Sequence, residues 1–154
     1  MKAVIQRVSH AACHALGEVT GECNEGLLIL LGVAAGDTEE DARLLAEKIS
    51  KLRIFSDEND KLNLSVMDVG GSVLVISNFT LMANYAHGNR PDYMGAEKPA
   101  RANELYEYFM KLLCDKGIPV GKGAFGEHME IVTSLHGPIT IVMESDVLKK
   151  KGKQ

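Results

Sequence analysis

The side chains best able to do chemistry gather in a few short stretches. In VISNFTL, residues 75–81, an apolar run gives way to Ser77, Asn78 and Thr80, polar groups at what should be the end of a buried strand. Such groups either satisfy nearby backbone at a strand end or form a pocket floor whose N–H groups and hydroxyls face a substrate carbonyl. GAFGEHM, residues 123–129, carries the same two readings, a Gly-rich turn with Phe125 in the core or part of a site. In TSLHGPITIVM, residues 133–143, an apolar alternation stops at Gly137-Pro138 and then resumes. Proline removes a ladder donor and fixes φ, so the pair is either a corner between two strands or a working part.

Other constellations carry less. HAACH, residues 10–14, would gather His10, Cys13 and His14 on one face of a helix. On a strand, however, His10 and His14 point one way and Cys13 the other, which is too few ligands for a metal. A serine-hydrolase arrangement would pair Ser77 or Thr80 with His87, His128 or His136. The chain has no GxSxG elbow, and no spacing puts a histidine beside Ser77. A Walker A loop is absent too.

These residues need a scaffold. Residues 2–14 and EVTGEC, with Gly17 between them, predict a β-hairpin. GLLILLGVAA, residues 26–35, is nearly continuously apolar and predicts a strand buried on both faces. Thr38 and Asp41 form a capping box with Asp in place of Glu, and Leu45, Ile49 and Leu52 recur at helical spacing, so 38–52 is a helix. A turn at 57–63 and a Gly-bounded strand from 70 follow, then a long loop over 83–100. Pro99 opens a second helix, with Leu105, Phe109, Leu112 and Leu113 on its apolar face and Gly117 at its end. Two last strands, 128–135 and 139–144, are expected to join at His136-Gly137-Pro138. This is an α+β pattern, mainly antiparallel, in a single domain over residues 1–154.

Composition narrows the setting. The chain is 45% hydrophobic and 25% charged, as ordinary globular proteins are. The longest apolar run, Gly26–Gly36, is too short for a membrane span, and MKAVIQRVSH lacks the apolar stretch of a signal peptide. Cys13, Cys23 and Cys114 are scattered and odd in number, which suits a reducing cytoplasm. A net charge of −4 gives no basic field for gripping long DNA, yet allows a small local contact with RNA. The tail KKKGKQ reads as a solvated end.

AVIQRV, GLLILLGV, KLRIF, KLNLSV, DVGG, SNFTL, GNRP, ELYEYF, GAFGEHM and HGPITI, in this order, resemble the D-aminoacyl-tRNA deacylases of the bacterial and eukaryotic type. The resemblance spans essentially the whole chain. It implies mainly antiparallel β-sheets forming a barrel-like core with two main helices packed on one side. It also implies a cytoplasmic homodimer without metal or cofactor. Such proteins hydrolyse the ester between a D-amino acid, or glycine, and the terminal adenosine of tRNA.

Two family signatures, Ser-Gln-x-Thr-Leu and Asn-x-Gly-Pro-x-Thr, are expected to meet across the dimer interface. The first carries over to Ser77, Phe79, Thr80 and Leu81, and the second to Gly137, Pro138 and Thr140. The resemblance implies a cis Gly137-Pro138 bond whose carbonyls hold the substrate α-amino group and whose backbone collides with an L side chain. Thr80 is expected nearest the scissile ester, positioning and polarising it, with N–H groups around Phe79 stabilising the oxyanion. Water, aided by a tRNA ribose hydroxyl, is the implied attacker. Ala102, Phe125 and Met129 match positions lining the adenosine end. Asn78 stands in place of Gln and Leu135 in place of Asn, and both are expected to tune rate or substrate choice. A deacylase of relaxed specificity and a non-catalytic protein binding the tRNA acceptor end are the alternatives.

Overall fold

A computed structural model describes residues 1–150. β1 (Lys2–Ala15) and β2 (Glu18–Cys23) form the expected antiparallel hairpin, turning through Leu16 and Gly17. β3 (Gly26–Gly32) pairs antiparallel with the first half of β1. α1 (Glu39–Ser50) starts at Thr38, whose N–H donates to the Asp41 carboxylate at 2.9 Å, as the capping box predicts. A small hairpin, β4 (Phe55–Ser56) and β5 (Leu62–Leu64), flanks the predicted turn, and β6 (Ser72–Ser77) follows. The 3-10 turn η1 (Phe79–Met82) and a long connection lead to α2 (Pro99–Asp115), with Pro99 at its first position. β7 (Val120–Lys122), β8 (Glu130–Glu144) and α3 (Ser145–Lys150) complete the described chain.

Pairing is mainly antiparallel, as expected, and β6 is the exception, lying parallel to both β3 and β7. The cause is connectivity. A helix, α1 or α2, intervenes in each of these connections, and such crossovers return the chain in the same direction.

The two strands expected at 128–135 and 139–144 are one strand, β8, which pairs with β1 along its whole length. Gly137-Pro138 is no hairpin corner. Gln6 pairs with Thr140 and Val8 with Leu135, so residues 136–139 bulge opposite Arg7 alone. The missing proline N–H therefore falls where no ladder bond is due.

The period-2 alternation of β3 sorts its side chains between two cores. Leu27, Ile29 and Leu31 join Ala3, Ile5, Val73 and Val75 beneath α1 and α2, where Leu45, Ile49, Leu105, Tyr106 and Phe109 are fully buried. Leu28 faces the other way, with Val8, Ala11, Cys13, Cys23, Leu74 and Ile76. This second cluster fills a barrel that closes where β2 crosses β7. A Cβ on Gly21 would stand 2.3 Å from the Lys122 carbonyl oxygen, and one on Gly121 would stand 2.6 Å from that of Glu22. Only glycine permits that approach.

β8 ends in a polar clamp. The Ser145 hydroxyl donates to Asp41 at 2.6 Å and accepts from the Met1 ammonium at 2.8 Å, and that ammonium lies 2.8 Å from Asp37. Lys149, expected in a solvated tail, pairs with buried Asp41 at 2.6 Å. The rest of that tail, residues 151–154, lies outside the described residues. Among the described residues no helix is long and apolar enough to cross a membrane.

Candidate active site

β6 delivers Ser77 half-buried at its end, paired with Leu31 of β3. Asn78 follows, its N–H donating to the Leu31 carbonyl at 2.8 Å, and the chain then coils into η1. The first N–H groups of such a turn have no intrahelical partner, and the Asn78 side chain does not cap them. Thr80 is exposed and donates its hydroxyl to Asn78 Oδ1 at 2.5 Å. Its partner is thus an amide and not one of the histidines a triad would require. Phe79 is 57% exposed and meets Tyr93 edge-on, with ring centroids 5.1 Å apart.

Three further residues picked out by sequence gather around the same end of β6. The Val75 carbonyl accepts from the Tyr106 hydroxyl at 2.8 Å and from the Gly123 N–H at 3.1 Å. These two bonds tie α2 and the 123–129 loop to the strand just before Ser77. Ala102 lies one helical turn ahead of Tyr106 and packs against the same core. Phe125 stacks obliquely on Tyr106 at 5.9 Å. Met129 packs on the barrel cluster, its sulfur 2.8 Å from where a Gly123 Cβ would be. Burial pushes the Tyr106 phenol well above its usual range, so it stays a donor.

Gly137-Pro138 is elsewhere. The peptide bond is cis, as the resemblance implied, and Gly137 has φ +134°, a conformation that L side chains rarely adopt. Arg7 holds the bulge, with Nε donating to the His136 carbonyl and Nη1 to that of Ile54, each at 3.0 Å. The guanidinium is buried and pairs with no carboxylate among the described residues. Between β6 and β8 lie β3 and β1, and the bulge sits opposite Arg7 whereas Ser77 aligns through Leu31 with Ala3. Three strand spacings across and four residues along give a separation on the order of 20 Å. One protomer does not bring its two segments together.

Sequence reasoning missed Arg7 and Tyr106. Arg7 had a signal, since Ala3, Ile5 and Arg7 share one parity of β1 and that parity is inward. A cation continuing an apolar parity announces buried acceptors. In HAACH, Cys13 is buried in the barrel, His14 is exposed and His10 lies 3.3 Å from the Asn24 amide oxygen. Among the described residues no three candidate metal ligands gather.

The α+β barrel defines a class of fold that recurs in solved structures. One, titled c-Myc DNA Unwinding Element Binding Protein, superposes with a TM-score of 0.88 at 35% identity, covering 94% of this chain and 98% of that one. A second, a probable eukaryotic D-amino acid tRNA deacylase, gives 0.80 at 14% identity, covering 93% and 98%, a likeness of fold. Among curated relatives, the D-aminoacyl-tRNA deacylase of Deinococcus radiodurans is 51% identical over 144 residues, covering 94% of this chain and 99% of its own. That of Alkaliphilus metalliredigens is 50% identical over 145 residues, covering 94% and 97%. The family model described as D-Tyr-tRNA(Tyr) deacylase matches residues 4–144, and the chain belongs to that family.

Proposed function

We propose that the protein hydrolyses the ester bond of D-aminoacyl-tRNA, including glycyl-tRNA mischarged on a non-cognate tRNA, and so proofreads chirality in the cytoplasm. The observation that carries this reading is the family match over residues 4–144, which includes both SNFTL and HGPIT. The acceptor end enters beside Ala102, Phe125 and Met129. The ester carbonyl meets the uncapped N–H groups of Phe79 and Thr80, donors aimed at the oxygen on which charge develops. Ser77 and Asn78 hold that segment, and a water aided by the tRNA's own hydroxyl attacks the ester. No metal or cofactor takes part.

A homodimer completes the site. The partner subunit's Gly137 and the partner subunit's Pro138 supply carbonyls for the substrate α-amino group and a backbone wall against L side chains. Two features support this arrangement. The signature segments are far apart within a protomer, and β8 has no strand on its outer edge among the described residues. That strand also exposes Val132, Leu135 and Val142, and such an edge invites pairing with a second chain.

Matched D-, glycyl- and L-aminoacyl-tRNAs offered to the purified protein test the reading. The D substrate should be hydrolysed more than tenfold faster than its L counterpart, since each ~1.4 kcal/mol of steric rejection is a factor of ten. Equal rates overturn the chirality assignment, and bound but unhydrolysed tRNA identifies a binding protein. A chelator should leave the D rate unchanged. Sedimentation should find twice 16.7 kDa, and a monomer fully active at high dilution overturns the shared site.

A further inference from the structure

Asn78 stands where the family signature carries Gln, and the geometry gives the shorter amide a task. We propose that Asn78 is a positioning residue for Thr80, turning its hydroxyl into a pure hydrogen-bond acceptor toward whatever N–H or O–H group enters the pocket. The inference rests on the reading above, in which the ester lies beside Thr80. It adds which way that hydroxyl works.

Asn78 is itself well fixed. Its N–H is bound to the Leu31 carbonyl at 2.8 Å, and its own carbonyl oxygen would lie 3.1 Å from a Cβ on Gly32, so β3 packs directly beneath it. Asn78 is half-buried while Thr80 is exposed, and the Thr80 hydroxyl donates to Asn78 Oδ1 at 2.5 Å. A threonine hydroxyl has one proton and two acceptor lone pairs. With the proton spent on Asn78, only lone pairs face the pocket. Thr80 therefore does not polarise the ester carbonyl through its hydroxyl. That work falls to backbone N–H groups, and the hydroxyl receives a substrate ammonium or a water. Reaching two residues along the chain is a habit of Asn and Asp, whose short side chains close such rings; Gln has one methylene too many.

The opposite amide orientation would put Nδ2 against Thr80 and free the hydroxyl proton, reversing the roles. An aspartate has no such second orientation, so it separates the two. Single-turnover deacylation of a D-aminoacyl-tRNA should fall about tenfold in Asn78→Ala, the effect of one misdirected hydrogen bond. Asn78→Asp should restore most of that loss. Thr80→Val should lose as much as Asn78→Ala, and adding Asn78→Ala to Thr80→Val should cost nothing more, because both act through one group. If Thr80 instead donates to the carbonyl, Asn78→Ala keeps or raises the rate and Asn78→Asp abolishes it. That result overturns the proposal.

A second measurement needs no turnover. With threonine methyl groups labelled, three-bond couplings should give one χ1 for Thr80 in the parent and averaged rotamers in Asn78→Ala. A Thr80 that already averages in the parent sinks the proposal even if the protein hydrolyses its substrate. A locked Thr80 in a protein inert toward every aminoacyl-tRNA supports the lock and refutes the deacylase reading instead.

Discussion

β3 and β8 are both rich in Ile, Leu and Val, yet they live under opposite conditions. β3 is flanked by β1 and β6 and buried on both faces, between the helices and the barrel interior. Among the described residues β8 has β1 on one side only, and it exposes Val142 by 62% and Val132 by 50%. The contrast teaches where function is affordable. A central strand has its backbone groups claimed by ladders on both sides, which disfavours a bulge. An edge strand can hold a four-residue bulge with a proline in it, because its outer groups are not committed.

The largest expected effect lies in β3. Ile29→Ala should lower unfolding free energy by about 2–5 kcal/mol in denaturant titrations, since Ile29 is fully buried and the cavity cannot collapse between two cores. A loss under 1 kcal/mol would mean that β3 is less central than its neighbours suggest.

Next comes the clamp that holds β8 at its end. Burial alone would push the Asp41 carboxyl up. Lys149, the Ser145 hydroxyl and the Thr38 N–H together outweigh that and hold it far below the usual carboxylate range. Asp41→Asn should cost about 2–3 kcal/mol, read from the shift in denaturation midpoint. The pH dependence follows from the sign. A depressed folded pKa stabilises above the unfolded value of ~3.9, and that stability drains away as pH falls below it. The parent should therefore lose midpoint steeply on acidification below about pH 4, and Asp41→Asn should lose less.

A smaller effect should come from restoring the family residues at both ends of the comparison. Asn78→Gln and Leu135→Asn should each change the D-aminoacyl-tRNA rate. Their coupling should be about 0.5–3 kcal/mol if the two positions meet in one shared pocket. Strict additivity would separate them. Smallest of all for folding is Val142→Thr, within about 0.5 kcal/mol for an exposed position. Its effect should be seen in the dissociation constant of the proposed dimer, and an unchanged constant would remove Val142 from the proposed interface.

Local features were legible in the sequence because their causes are local. The hairpin around Gly17, the Thr38 capping box, Pro99 at the head of α2 and the doubly buried β3 each depend on residues within one element. What escaped depends on distant partners. β7 is three residues long and exists because β6 and β2 lie beside it. The continuity of β8 through Gly137-Pro138 is set by β1, more than a hundred residues earlier. The Arg7 brace spans 129 residues, a separation no periodicity reports. SNFTL and HGPIT were recognisable as segments, whereas their separation within one protomer is a matter of sheet order.

β1 lies between β8 on one side and β2 and β3 on the other, and that arrangement has a consequence during synthesis. Its partners on one side follow within a few residues, but β8 trails it by ~130 residues. At translation rates of ~5–20 residues per second, β1 waits roughly 6–26 s with one edge open. Through that interval the nascent protein offers its neighbours on the ribosome the open edge of an apolar strand. The braced bulge that β8 carries can form only once that wait ends.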